Sequence, residues 1–149
     1  MRLSGSDGTL FEMSVAGYQF PDVEDEEYDS NWLLISVHVV QSKGGWASTG
    51  PCLLTDELET IANWFDGMAQ GSNVESEQHF IEPNLLFRLI SQQPKERALA
   101  IHLVLDSWVR SETAPRELVL LFPLSEIDPA QAAEELRGEL VQYPQRAMR

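Results

Sequence analysis

The stretch NWLLISVHVVQ, residues 31–41, decides the fold. Leu33, Ile35, Val37 and Val39 fall on one face of an extended chain, and Leu34, Ser36, His38 and Val40 on the other. A period of two with β-branched residues is the signature of a strand lying in a sheet. Lys43-Gly44-Gly45 follows as a hairpin turn, because glycine accepts positive φ without steric cost. Trp46 to Thr49 then reads as the return strand, closed by Gly50-Pro51.

Upstream, Thr9 to Phe20 reads as a first strand, with Gly17 marking a bulge or bend and Pro21 ending it. Between these strands lies a loop, Asp22 to Ser30, with six carboxylates in the eight residues from Asp22 to Asp29. Downstream, Thr55 suits a helix N-cap, and Asp56 and Glu57 suit the first turn, where the helix dipole favours anions. Leu58, Ile61, Ala62 and Phe65 form the stripe that this helix buries. Glycines and polar residues from Gly67 to Asn73 stop it.

Three further strand-like runs follow: His79 to Ile90, Arg97 to Val109 and Glu117 to Leu124. The turns between them, Gln92 to Lys95 and Ser111 to Pro115, are short. Short connections suit antiparallel neighbours, since parallel crossovers need about a dozen residues. The last helix opens at Asp128-Pro129-Ala130-Gln131, with Asp128 as N-cap, Pro129 in the first turn and Gln131 placed to reach back. Ala133, Leu136 and Leu140 form its stripe, Pro144 ends it, and Gln145 to Arg149 reads as a frayed tail.

The order is β-β-β-α-β-β-β-α. It predicts an α+β fold: a mostly antiparallel sheet of about six strands with two packed helices, in one domain over residues 1–149. Apolar residues on both faces of several strands predict that much of the sheet is covered on both sides.

The chain has 10 basic and 24 acidic residues, a net charge of −14. Residues 1–82 hold 2 basic and 15 acidic groups, a net of −13. A field of that sign repels nucleic acid and anionic membranes and speeds encounter with a basic partner. It also serves solubility alone. No apolar run approaches the roughly 18 residues that span a bilayer. The polar N-terminus has no apolar signal core, and the lone cysteine, Cys52, forms no internal disulfide, so the expected location is the cytoplasm.

Catalytic motifs are absent. His38, His79 and His102 lie on separate strands without metal-ligand spacing on a helix, although His38 and His102 could meet across neighbouring strands. Cys52 precedes a helix, a position that can activate a thiol, but its neighbours are apolar and a structural role is expected. The acidic loop has the oxygen ligands that calcium takes but not the spacing of an EF-hand. No phosphate-binding glycine loop is present, and neither a cofactor nor a metal is expected. Of Trp32, Trp46, Trp64 and Trp108, Trp46 near the hairpin and Trp64 at the edge of the helical stripe are the best surface candidates.

Three segments together resemble the WapI-type immunity proteins and related bacterial proteins. They are Gly17-Tyr18-Gln19-Phe20-Pro21, Asp29-Ser30-Asn31-Trp32-Leu33, and Pro51-Cys52-Leu53-Leu54-Thr55-Asp56-Glu57-Leu58. The resemblance covers the first half of the chain, and the second half shares only the strand-strand-helix layout. It implies a non-catalytic protein that neutralises a toxin by stoichiometric occlusion. Nuclease toxins are commonly basic, so Asp22, Glu24, Asp25, Glu26, Glu27 and Asp29 would then form an electrostatic patch with Tyr28 as an aromatic anchor. Two other readings stay open: a small hydrolase or transferase using Cys52 or a His–carboxylate pair, and an oligomeric assembly subunit.

Overall fold

The computed structural model describes residues 1–93, 96–104 and 116–147. Leu105 to Val109, including Trp108, and the turn residues 94–95 and 111–115 lie outside the described residues. The fold is α+β, with two α-helices and eight antiparallel strands among the described residues. The strands are β1 (Arg2–Ser4), β2 (Leu10–Tyr18), β3 (Trp32–Gln41), β4 (Gly44–Leu54), β5 (Glu77–Gln78), β6 (Leu85–Gln93), β7 (Glu96–Val104) and β8 (Glu117–Pro123). Helix α1 (Thr55–Ala69) follows β4, and α2 (Pro129–Gln142) follows β8. In place of one sheet there are two, in the orders β1-β2-β3-β4 and β5-β6-β7-β8. Each runs in chain order, and α1 lies between them in the chain.

The alternation in β3 directs burial. Leu33, Ile35, Val37 and Val39 are at most 1% exposed, while the opposite face is half-buried or exposed. Phe11, Met13 and Val15 of β2 join them on the inner face. Gly17 sits where the β2–β3 register shifts, as its position predicted. In the second sheet Phe87, Leu89, Leu99, Ile101, Leu120 and Phe122 point inward. Both sheets and both helices feed one continuous core. Phe11 meets Phe87 edge to face at 6.5 Å, and Phe87 stacks on Trp64 of α1 at 6.2 Å.

Several expectations change on folding. The hairpin turn is the two residues Ser42 and Lys43, and Gly44, at φ 128°, already belongs to the return strand. That strand does not stop at Pro51 but runs on to Leu54. β4 is an edge strand, and the register shifts where Leu34 faces Pro51 and Leu33 faces Leu53. An edge with a bulge is where a strand tolerates the missing N–H of proline. The N-cap of α1 is Leu54 in place of Thr55, and Leu54 N–H donates to Glu57 Oε2 at 2.9 Å. The cap of α2 is as expected: Asp128 Oδ1 accepts from Gln131 N–H at 3.1 Å. The Gln131 side chain does not reach back but donates to Glu135. Coverage on both faces is partial: β7 buries Ala98 and Ala100 on one face and Leu99 and Ile101 on the other, but Val119 and Leu121 on the outer face of β8 are 48% and 42% exposed.

Candidate functional site

The acidic loop connects β2 to β3 and ends in a 3-10 turn, Asp29–Asn31. Asp22, Glu24, Asp25, Glu26, Glu27 and Asp29 are all exposed, and none forms an ion pair with a described residue. Their backbone is held far more tightly than their side chains. Val23 N–H donates to Phe20 O, Ser30 N–H to Glu26 O and Asn31 N–H to Tyr28 O. Glu26 N–H donates to Ser30 Oγ at 2.8 Å.

Asn31 is the hub of this region. It is 1% exposed. Its Oδ1 accepts from Thr55 Oγ1 at 3.1 Å and from Arg146 N–H at 2.9 Å. Its Nδ2 donates to Glu27 O at 3.0 Å and to Ala147 O at 3.2 Å. One carboxamide therefore ties the acidic loop, the start of α1 and the C-terminal segment together, using both lone pairs and both protons. Arg146 completes the clasp, donating from Nη1 to Pro21 O and Val23 O at 2.8 and 3.0 Å. Tyr18 OH donates to Pro144 O. The expected frayed tail is thus tied down through Ala147, because its backbone pairs with the buried Asn31 carboxamide and the Arg146 side chain with carbonyls of the loop.

A cleft of about 320 Å³ opens at the foot of the loop. It is lined by Gln19 and Phe20 after β2, Asp29 and Trp32 at the start of β3, Pro51 of β4, and Glu82 before β6. The three segments that carry the family resemblance meet here and at Asn31. A second recess, of about 440 Å³, lies where β7 meets the end of β8. It mixes charges, with Arg97 beside Glu96 and Glu126.

The other sequence candidates separate. Tyr28 is 48% exposed and Phe20 38%. Trp46 is half-buried against the core, three residues beyond the turn. Trp64 is not a surface residue: it is 4% exposed, and its Nε1–H donates to Glu75 O at 2.7 Å. Helical spacing placed it beside the stripe, but α1 also packs against β6, so the buried sector is wider than the stripe. Trp32, part of a resemblance segment but not one of the expected surface tryptophans, is the tryptophan at the cleft.

His38 and His102 do not meet, since β3 and β7 belong to different sheets. His38 Nδ1 lies 3.7 Å from Glu12 Oε1, and His79 Nε2 lies 2.7 Å from Glu77 Oε2; both pairs are on the surface. The Cys52 side chain is fully buried. Burial, then the nearby carboxylates of Glu57 and Glu82, push its thiol far above the ordinary value, which opposes formation of the nucleophilic thiolate. Among the described residues no group of three or more His, Cys, Asp or Glu side chains is arranged to hold a metal ion.

No described helix is long and apolar enough to cross a membrane. No match to the chain was found among curated proteins or among solved structures. Residues 2–144 match the model of the immunity protein WapI-like family, nearly the whole chain, and the protein belongs to that family.

Proposed function

We propose that this is a non-catalytic immunity protein that neutralises a basic toxin, of nuclease type, by stoichiometric occlusion. Membership of an immunity family supports a toxin as partner. The observation that carries the basic character of that toxin is the acidic loop. Six exposed carboxylates without ion pairs to described residues stand on a backbone fixed by hydrogen bonds. A patch of this kind attracts a basic surface at long range and loses little entropy when it docks. A nuclease needs positive charge to hold its substrate, and an inhibitor that offers carboxylates in place of phosphates competes for the same surface. On this reading Asp22, Glu24, Asp25, Glu26, Glu27 and Asp29 supply the field, Tyr28 is an anchor beside them, and Trp46 extends the contact. The complex would form in the cytoplasm.

A hydrolase or transferase has less support. The Cys52 thiol is buried, and neither surface His–carboxylate pair lines either of the two recesses described above.

The test is co-expression with the toxin-like product of a neighbouring gene, followed by pull-down. A one-to-one complex that weakens with salt is expected, and elution of the protein alone or as a homo-oligomer would overturn the reading. Replacing Glu24, Asp25, Glu26 and Glu27 by Gln or Asn should slow association and flatten its salt dependence. Unchanged association kinetics would remove the loop from the mechanism.

A further inference from the structure

We infer that the cleft at the foot of the acidic loop is a pocket for a single arginine side chain of the protein partner. The inference rests on the reading above in one respect, that the partner is a basic protein. The cleft itself supplies the chemistry. Phe20, Trp32 and Pro51 give it apolar walls, two of them aromatic, and Asp29 and Glu82 line it as two acidic residues from different loops. Neither carboxylate forms an ion pair with a described residue, and no cation is among the residues that line the cleft. Arg146 reaches the same loop, but its guanidinium is committed to carbonyl oxygens and to the Tyr18 ring.

Aromatic faces beside unpaired carboxylates select a cation that is both planar and weakly hydrated. A guanidinium stacks on a ring while its N–H fork donates to carboxylates; a lysine ammonium is compact, strongly hydrated and cannot stack in this way. The size agrees. About 320 Å³ is at the lower end of the roughly 300–1,000 Å³ of small-ligand sites, so it suits one long side chain and not a folded segment.

The walls are also held in place before anything binds. Gln19 N–H donates to Trp32 O at 2.8 Å, Asp29 opens the 3-10 turn anchored by Asn31, and Ile81 N–H beside Glu82 donates to Glu57 Oε1 at 2.7 Å. A preformed pocket flanked by a charged rim is the usual setting of an arginine hot spot. The loop would then steer the partner, and the cleft would fix its register.

The test uses the full chain and three small probes: N-acetyl-arginine-amide, its neutral isostere N-acetyl-citrulline-amide, and N-acetyl-lysine-amide. Amide and indole shifts are followed by NMR during titration. The arginine probe should produce saturable shifts centred on the Trp32 indole N–H and the Glu82 amide. Losing the charge-assisted hydrogen bonds should weaken binding roughly tenfold for the citrulline probe and for Asp29→Asn/Glu82→Gln. Glu82→Gln alone serves if the double variant is unstable, and Asp25→Asn, out on the loop, should change little. Shifts that do not saturate, that centre away from Trp32, or that survive the double substitution would overturn the pocket, and equal binding of lysine would overturn the choice of arginine. No toxin is needed, so a failed pull-down alongside specific arginine binding would count against the immunity reading alone. A toxin complex indifferent to Asp29→Asn/Glu82→Gln would count against the pocket alone.

Discussion

Arg146 lies over the ring of Tyr18, with its guanidinium carbon 3.6 Å from the ring centroid. Its hydrogen bonds to Pro21 O and Val23 O then close the C-terminal segment onto the base of the acidic loop. The arginine puts one positive charge at the root of a negative patch without neutralising the carboxylates that face outward. The loop is therefore held both by its own backbone hydrogen bonds and by the far end of the chain.

Arg146→Ala should loosen that loop. A partly exposed cation–π contact is worth about 0.5–1 kcal/mol and charged hydrogen bonds about 1.5–3 kcal/mol when buried, less where solvent screens them. The expected loss is about 1–2 kcal/mol in urea denaturation, with faster hydrogen exchange at the Val23, Ser30 and Asn31 amides. Arg146→Lys should recover only part of it, since an ammonium neither stacks nor forks. Unaltered exchange at Val23 would show that the loop is held by other means.

Asn31→Ala should cost more. The substitution strands the Thr55 hydroxyl, the Arg146 N–H and the carbonyls of Glu27 and Ala147 around a 1% exposed position. Buried groups left without partners place the expected destabilisation at about 2–4 kcal/mol. Asn31→Asp keeps the shape but turns an acceptor toward two carbonyls, and should be at least as damaging. Equilibrium denaturation of the three proteins decides the order.

Gly67→Ala sets a gain against a loss. Alanine improves an interior helical position by about 1 kcal/mol. Its Cβ at Gly67, however, would fall 2.5 Å from Val74 Cγ1 on a stiff β-branched side chain. Overpacking of this kind costs about 1–3 kcal/mol, so the variant should be less stable than the parent. Adding Val74→Ala should remove the penalty, and the double-mutant cycle should show clear coupling. A stabilised single variant would mean that the turn after α1 yields freely.

Acid should weaken the link between β1–β2 and the end of β8. Glu126 accepts from Ser6 Oγ at 2.6 Å and from Ser6 N–H at 2.9 Å. The side-chain hydrogen bond first, and the backbone one second, hold its carboxyl below the ordinary 4.5. A depressed folded value means that the contribution is fully present above about pH 4.5 and is lost as pH falls through the lower folded value. Glu126→Gln should therefore lower stability slightly at neutral pH and flatten the acid limb of the stability–pH profile. An acid limb identical to the parent's would remove this contact from the acid response.

Much of the architecture was legible before folding because its causes are local. The alternation of β3 pointed Leu33, Ile35, Val37 and Val39 to one face, and that face is buried. Asp128 was readable as a cap because its partner, Gln131 N–H, is three residues away. β1 and β5, with 3 and 2 residues, are too short to display a period and are held only by their neighbours. β4 looked shorter than it is because the tolerance of Pro51 depends on lying at an edge, which no stretch of sequence announces.

The residues alone thus settled the α+β class, the antiparallel habit, the two helices and the concentration of negative charge in the first half. All of these follow from periods, caps and counts that need no distant partner. Folding alone divided the strands into two sheets, buried Trp64 and left Trp32 at a cleft with Phe20, Asp29, Pro51 and Glu82. It also brought Arg146 across 115 positions to the carboxamide of Asn31. Such contacts are chosen by how the whole core packs, because a side chain's neighbours across that core leave no trace in local spacing.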